Sequence, residues 1–310
     1  MRTLLVAALV IVTSCGKTDE LEAKIAELSK ELAATRRSLD ALDDKVASSK
    51  NLERKLDDIE KELAKTREML TARPSLPARP TRPEPDRAKT YAVPVDNAPS
   101  LGPADAKVTI VVAHEYACPY CEKARSTLDD LRKKYGSDLR LVFKQLVVHP
   151  RNATAAALAS CAADKQQKYV QMDKLLWDDG FNQRQLDLSD TTTTGAAGQK
   201  CWDTPDGCPI VVGFAKKLGL SVSRFKSDMR ECQQALQQGM RELQTFGVSA
   251  TPSFFINGRF MSGAMPIESF SALIDEELAK ADARIAQGTR KNRYYQQWVL
   301  DEGLKSLTPP

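Results

Sequence analysis

The residues best suited to chemistry are two cysteines, Cys118 and Cys121, separated by Pro119 and Tyr120. They lie where an apolar, β-branched run becomes a helical pattern. Free N–H groups and the dipole at a helix start stabilise a thiolate on the first cysteine. The second cysteine lies one turn later and can resolve a mixed disulfide, while Pro119 suits the first helical position. The spacing predicts a redox-active dithiol in which Cys118 attacks, faces solvent and is resolved by Cys121.

Other chemistries for this pair are a metal site, an inert disulfide and the handling of copper or small thiols. One C-x-x-C supplies two zinc ligands, so a zinc site would need another pair or suitable histidines. The two histidines, His114 and His149, lack metal-ligand spacing to a cysteine. We therefore predict no metal and no cofactor, and leave the inert disulfide and Cu(I) or thiol-metabolite binding open as alternatives.

The sequence around the dithiol predicts a strand, a helix and a second strand. β-branched and aromatic residues predict buried strands over 108–117 and 139–148, and apolar spacing predicts a helix between them over 121–135. This order is typical of a parallel βαβ unit. Further patterns predict one long helix over 152–177, more helix over 209–245, a strand-like "PSFFINGRF" and an amphipathic helix that opens on Pro266. The result is an α/β domain whose mixed sheet carries inserted helices.

Strand 108–116, the Cys-Pro-Tyr-Cys motif and Thr251-Pro252 before a strand resemble the thioredoxin fold, specifically the DsbA-like thiol-disulfide oxidoreductases. The resemblance covers about residues 91–280. It implies a thioredoxin-like domain over 91–288 with a helical insertion at about 150–245. In that family the proline is cis and lies opposite the reactive cysteine, which implies that the substrate contacts Pro119, Tyr120, Thr251 and Pro252.

The sequence departs from this family at a position beneath the dithiol. Related proteins often have a buried acidic residue six positions before the first cysteine, where it helps to move the resolving thiol's proton, but Val112 is found here. Glu115 is closer in sequence, and we expect it near the surface. Lys144 ends the next strand, and it either lies under the site or points to solvent. Tyr120 lacks the imidazolium that a histidine could offer, so this site is expected to be less oxidising than DsbA.

Four cysteines remain when Cys15 and the two motif cysteines are set aside, and these four are predicted to pair with each other. Cys201 and Cys208 enclose "WDTPDG", whose turn-forming residues favour a local disulfide. That leaves Cys161 with Cys232, in two helical patterns of the insertion. Three connectivities are possible, and free buried thiols are the alternative.

The N-terminus predicts export and anchoring. Residues 1–14 have the layout of a secretory signal that is too short to span a bilayer as a mature helix. The "VTSC" ending resembles the lipobox of bacterial lipoproteins, which implies lipidation of Cys15 and a mature N-terminal stretch over 15–18. An ordinary signal peptide with a chance cysteine is the alternative. We expect a lipid-anchored protein of the bacterial envelope that faces the periplasm or the exterior.

The segment that follows the anchor is predicted to be a stalk. Residues 19–70 contain no proline or glycine, and their apolar residues follow a heptad seam with one slip near Ser49. Such a seam needs partner helices, so we predict a homo-oligomeric coiled coil, with a single solvated helix as the alternative. A Pro-rich spacer follows over 71–90, and residues 289–310 are expected to form a C-terminal tail. The net charge of +4 and the lack of a basic patch predict no nucleic-acid partner.

These features predict an envelope thiol-disulfide oxidoreductase that exchanges disulfides with cysteine-containing exported proteins and is served by an unidentified redox partner. Two alternatives remain. An oligomeric disulfide isomerase or reductase of the same fold would use the coiled coil, because tethered sites raise each other's effective concentration. A non-catalytic envelope binding or spacer lipoprotein would retain the fold without the activity.

Overall fold

The computed structural model describes residues 18–71, 84–186 and 199–307. The chain divides into two compact units, the first ending at Thr81 and the second beginning at Arg82. The predicted signal sequence over 1–14 and the lipidated Cys15 lie outside the described residues, as does most of the predicted spacer. No helix within the described ranges is both long and apolar enough to cross a membrane.

The first unit contains one long helix, α1, which runs from Thr18 to Thr71. Good helix formers and the absence of proline and glycine allow 54 residues to remain helical, a length of about 80 Å at 1.5 Å per residue. Ten residues of the predicted seam are 51% to 69% exposed in the single chain: Ile25, Leu28, Leu32, Leu39, Leu42, Val46, Leu52, Leu56, Ile59 and Leu63. The helix therefore presents an apolar stripe without covering it.

The second unit is built on a five-stranded mixed sheet with the strand order β1-β3-β2-β4-β5. The central strand β2 pairs in parallel with β3 and antiparallel with β4, and the outer pairs are antiparallel. The strands are β1 (Ser100–Leu101), β2 (Val108–His114), β3 (Leu139–Gln145), β4 (Ser253–Ile256) and β5 (Arg259–Ser262). Every residue of β2 is buried, as its continuous apolar sequence predicts.

Six α-helices accompany the sheet within the described residues: α2 (Pro119–Tyr135), α3 (Pro150–Asp164), α4 (Tyr169–Leu175), α5 (Pro209–Lys217), α6 (Val222–Thr245) and α7 (Ile267–Ala286). Helix α2 connects β2 to β3, and α7 follows β5. Their apolar stripes share one core with the sheet, in which the Phe254 and Phe270 rings meet edge to face at 4.8 Å. The α/β fold with a mixed sheet and helical insertions, which the sequence predicts, is confirmed.

The helical insertion comprises α3 to α6, between β3 and β4. The single long helix predicted over 152–177 is wrong, because the chain breaks after Asp164. Gln167 adopts a left-handed φ of 58°, and the Lys168 N–H donates to the Ala163 carbonyl at 2.9 Å. This is the bonding that closes a helix C-terminus. A second helix, α4, then begins at Tyr169 and continues into a π-helical turn over Leu176–Asn182.

The C-terminal segment, predicted as a tail over 289–310, packs on the second unit as far as Leu307. The Ala92 N–H donates to the Leu304 carbonyl at 2.8 Å, and the Leu304 N–H donates to the Thr90 carbonyl at 2.9 Å. Tyr294 and Val299 of the same segment are buried. Residues 289–307 are therefore part of the folded unit and hold the chain where it leaves the spacer.

The turn between β4 and β5 lies at the end of the sheet opposite the dithiol. Asn257 and Gly258 have positive φ values of 43° and 82°, as a two-residue hairpin turn requires. The Gly258 carbonyl accepts the Tyr91 N–H at 2.8 Å, and a Cβ on Gly258 would lie 2.5 Å from the Tyr91 carbonyl oxygen. Asn257 accepts the Thr109 N–H at 2.9 Å, which ties the turn to the start of β2.

Candidate redox site

The dithiol lies where β2 ends and α2 begins. Cys118 is the N-cap residue of α2, and its sulfur accepts the Cys121 N–H at 3.3 Å. Pro119 occupies the first turn, where its missing N–H leaves no bond unmade. The Cys118 sulfur therefore faces the positive end of a 17-residue helix, which favours its thiolate form.

The Thr251–Pro252 bond, which is cis, lies beside this sulfur. The antiparallel pairing of Ala113 with Ser253 brings the start of β4 to the end of β2. As a result, the Cys118 sulfur lies 3.4 Å from the Thr251 carbonyl oxygen and donates to it as a thiol. The structure thus brings together all six motif residues that the sequence assigns to catalysis and substrate contact.

The two thiols have opposite acidity. The hydrogen bond from Cys121 lowers the pKa of Cys118 to about 6 against the opposing effect of burial, with further help from Thr251 and the helix N–H groups. The pKa of Cys121 is raised, because it shares its proton with Cys118 and is buried. In the reduced protein at neutral pH, Cys118 carries the charge and Cys121 carries the proton.

The expectation that only Cys118 faces solvent is wrong. Each of the two cysteines is only 4% exposed, because the helical insertion contributes to the same core. Tyr120, between them, is 63% exposed. The exposed fractions therefore do not distinguish the two residues, whereas the charge on their sulfurs does.

The residues predicted beneath the site also differ from expectation. Glu115 is fully buried, because the backbone N–H groups of Val148 and His149 bind its carboxylate at 2.7 and 2.8 Å. Lys144 neither lies under the dithiol nor reaches solvent. Its ammonium donates to the Pro94 carbonyl at 2.8 Å and pairs with Glu242 on α6. Val112 is buried in the apolar core of the sheet.

An aromatic cluster at the end of β2 was not predicted from the sequence. The Tyr116 ring lies 5.3 Å from the His114 ring and 5.0 Å from the Trp177 ring. Burial lowers the pKa of His114 to about 3, so its imidazole is neutral at physiological pH. The Tyr116 hydroxyl donates to Asp173 at 2.8 Å, and burial raises the pKa of Asp173 to about 6. His114 and Tyr116 come from the end of β2 and the turn after it, whereas Asp173 and Trp177 come from α4 and the π-helical turn, so no local spacing could reveal the cluster.

The remaining cysteines of the second unit form two disulfides. Cys161 and Cys232 join α3 to α6 with a Cα separation of 6.1 Å, and Cys201 and Cys208 close their loop with a Cα separation of 4.8 Å. Cys118 and Cys121 are the free cysteines of the described ranges. Over those same ranges, no three His, Cys, Asp or Glu side chains are grouped to hold a metal ion.

The fold and the dithiol define a thiol-disulfide oxidoreductase, the class of enzyme that the sequence predicts. A family model described as thioredoxin matches residues 95–276, which is more than half of the chain. The protein therefore belongs to the thioredoxin family. Membership supports disulfide exchange in general terms.

Three known proteins are similar to part of this chain. The Na(+)/H(+) antiporter NhaA of Herminiimonas arsenicoxydans is 28% identical over 177 residues, which are 56% of this chain and 24% of the antiporter. The chain thus spans about a quarter of that relative's length. A thioredoxin-like oxidoreductase from Silicibacter pomeroyi DSS-3 is 26% identical, with a TM-score of 0.45 over 58% of this chain and 92% of its own. Wolbachia pipientis alpha-DsbA1 is 17% identical, with a TM-score of 0.48 over 62% and 96%.

Proposed function

We propose that the protein exchanges disulfides with cysteine-containing exported proteins in the bacterial cell envelope, with Cys118 as the nucleophile and Cys121 as the resolving thiol. The observation that carries this proposal is the position of the Cys118 sulfur, at the start of α2 and 3.4 Å from the carbonyl before a cis proline. A thiolate in that position can attack a disulfide, and an exposed backbone edge beside it can hold the substrate chain.

In the reducing direction, the Cys118 thiolate attacks one sulfur of a substrate disulfide. A mixed disulfide forms, and the other substrate sulfur leaves as a thiolate that takes a proton from water. Cys121 then attacks Cys118 and releases the second substrate sulfur, so two enzyme thiols are oxidised as one substrate disulfide is reduced. In the oxidising direction the same steps run backwards, and Cys121 is the first leaving group.

Substrate contact is proposed for Thr251, Pro252, Pro119 and Tyr120. The backbone at Thr251 lies within reach of the reactive sulfur and can pair with an extended peptide. Tyr120 offers an exposed apolar ring beside the dithiol. Because the ring carries no positive charge, we propose that the site is less oxidising than one with histidine at this position.

Trapping tests this function directly. Replacing Cys121 by serine leaves a mixed disulfide on Cys118 unresolved, so envelope extracts should yield covalent complexes with exported proteins that dissolve on reduction. The matched Cys118→Ser variant should trap none. Equal trapping by both variants, or none by Cys121→Ser, would instead favour a binding or spacer protein. The potential of the Cys118–Cys121 couple against glutathione then assigns the direction, since 30 mV corresponds to about 1.4 kcal/mol.

Location in the envelope is proposed from the signal-like residues 1–14, the lipobox-like Cys15 and two disulfides that suit an oxidising compartment. The Cys15→Ser variant should leave the membrane fraction while its dithiol remains active, because the lipid would be the anchor. Membrane attachment that survives this substitution would contradict the lipid anchor.

A second function, disulfide isomerisation by an oligomer, is favoured by the exposed stripe of α1. The stripe residues can be buried against other copies of the helix, which would place several dithiols on one stalk. Sedimentation of a protein that starts at residue 18 should show an oligomer, whereas one that starts at residue 84 should be a monomer with little isomerase activity on a scrambled multi-disulfide substrate. A monomeric longer protein would exclude the stalk as an assembly device.

A further inference from the structure

Glu115 is a buried carboxylate three residues before Cys118, and its side chain is fully enclosed. One carboxylate oxygen accepts the Val148 N–H at 2.7 Å and the His149 N–H at 2.8 Å. The other oxygen pairs with Nδ1 of His149, whose side chain is 62% exposed. Three contacts therefore hold the side chain of Glu115 to the loop between β3 and α3.

The loop that binds this carboxylate is connected to the helical insertion. His149 is the N-cap residue of α3, so the carboxylate sits at the positive end of a 15-residue helix, where charge-assisted bonds to N–H groups are strong. The same helix is joined to α6 by the Cys161–Cys232 disulfide. The loop that binds Glu115 is thus fixed by the helical insertion rather than by the sheet alone.

The main chain of the same residue contacts both catalytic cysteines. The Glu115 carbonyl accepts the Cys118 N–H at 3.4 Å, which closes the turn from β2 into α2. The Glu115 backbone also makes a hydrogen bond to Cys121 that lowers the pKa of that buried thiol, against the larger effects that raise it. The side chain of Glu115 is therefore bound by the loop before α3, while its main chain contacts the two cysteines. Binding of the side chain holds the main chain in place beside the dithiol.

We infer that Glu115 is a positioning residue that holds its own backbone N–H against the Cys121 sulfur while that sulfur carries negative charge. This inference rests on the proposed function. When Cys121 attacks the mixed disulfide, it gives its proton to water, attacks as a thiolate, forms the Cys118–Cys121 bond and expels the substrate sulfur, which takes a proton from water. When a substrate thiolate attacks Cys118 instead, Cys121 leaves with the electron pair. The N–H of Glu115 stabilises Cys121 in both directions.

The test separates the two steps of one turnover. Reduced protein is mixed with excess of a symmetric peptide disulfide whose two fluorophores are quenched while joined. Attack by Cys118 gives a fluorescence rise whose rate depends on concentration, and resolution by Cys121 gives a fall in anisotropy whose rate does not. In Glu115→Ala we expect the resolution rate to fall about tenfold, as for loss of a hydrogen bond to a charged group, and the attack rate to change less than twofold.

Substitutions that keep parts of the anchor sharpen the test. Gln in place of Glu115 still accepts the two backbone N–H groups, so Glu115→Gln should resolve within about threefold of the unaltered protein. Glu115→Asp retains the charge but withdraws the oxygens by one methylene, so it should slow resolution even if Glu115→Ala does not fold. His149→Ala removes one contact and should have a small effect.

Three results would overturn the inference. Equal slowing of resolution in Glu115→Gln and Glu115→Ala would assign the effect to charge, and equal slowing of attack and resolution would indicate general damage to the fold. The third result is an unchanged resolution rate in both Glu115→Ala and Glu115→Asp. Absence of both phases in the unaltered protein would instead contradict the proposed function itself. The Cys118→Ala variant, which cannot form a mixed disulfide, supplies the baseline for both phases.

Discussion

The Cys118 and Cys121 pair and the Cys161 and Cys232 pair lie in one folded unit, are mostly buried and yet serve different ends. Cys118 caps the start of a helix, where N–H groups are free to bind its sulfur. Cys161 and Cys232 lie inside α3 and α6, where the backbone N–H groups are already bonded to the preceding turn. The contrast shows that burial alone does not decide whether a cysteine becomes a reactive thiolate, and that the Cys121 N–H bound to its sulfur distinguishes Cys118 from the cysteines inside a helix.

Removing one sulfur from the reactive pair should have the largest effect. Cys118→Ala should lower disulfide reduction of insulin by at least about a thousandfold, because no other described thiol lies at a helix start beside the cis proline. The double variant Cys161→Ala, Cys232→Ala, assayed on the folded fraction, should retain activity within a few-fold. Comparable losses in the two proteins would erase the distinction between the pairs.

The structural pair should instead dominate stability. The Cys161–Cys232 disulfide closes a loop with a sequence separation of 71, so replacing both cysteines by alanine should reduce the free energy of unfolding by about 4 kcal/mol. Urea titration with an unchanged slope measures this loss. A loss below about 1 kcal/mol would show that α3 and α6 are held by packing alone.

The Cys201–Cys208 disulfide provides a graded control. Its sequence separation is only 7, so the same model of loop closure gives about 2.5 kcal/mol for the double alanine variant. The same urea titration should therefore rank this variant between the unaltered protein and the one lacking Cys161–Cys232. The reverse ranking would mean that the small loop has a structural role beyond closure.

The smallest effect concerns the charge on Cys118. Its pKa in the folded reduced protein, about 6, lies below that of the unfolded chain, so the thiolate stabilises the reduced fold at neutral pH and this contribution is lost as the pH falls through 6. Between pH 7 and pH 5 the reduced form should lose about 1.4 kcal/mol relative to the oxidised form.

Comparing the two redox forms is essential for that measurement. Burial raises the pKa of Asp173 to about 6, which acts in the opposite sense over the same pH range, but this group is present in both forms and cancels in the difference. A difference between the two forms that stays constant from pH 7 to pH 5 would contradict a stabilised thiolate on Cys118.

Local patterns were sufficient to predict the strand, helix and strand around the dithiol and the strand-like stretch "PSFFINGRF", because each depends on neighbours in sequence. The burial of Glu115 could not be predicted, since its binding partners Val148 and His149 come from the loop between β3 and α3, more than 30 positions later. The break at Gln167 also escaped, because glutamine carries no turn signal and its left-handed φ is imposed by the packing of α3 and α4.

The same reason explains the C-terminal segment. Residues 289–307 lack an apolar period that would predict an element, and their order depends on backbone bonds between Leu304 and residues more than 200 positions earlier. The closeness of Cys118 to Thr251 was implied only through family resemblance. Contacts at long sequence separation are therefore the part of the site that required the structure.

The anchoring of Tyr91 by Gly258 and of Ala92 by Leu304 has a consequence for the placement of the dithiol. The chain enters the domain at one end of β2, whereas Cys118 lies past the other end, a separation of roughly 20 Å set by the seven residues of that strand. The chain therefore enters the domain at one end of β2, and the reactive sulfur lies at the other end. With the anchoring proposed above, the attachment of the domain and its reactive sulfur would lie at opposite ends of β2, so the dithiol would be on the side of the domain away from the membrane tether.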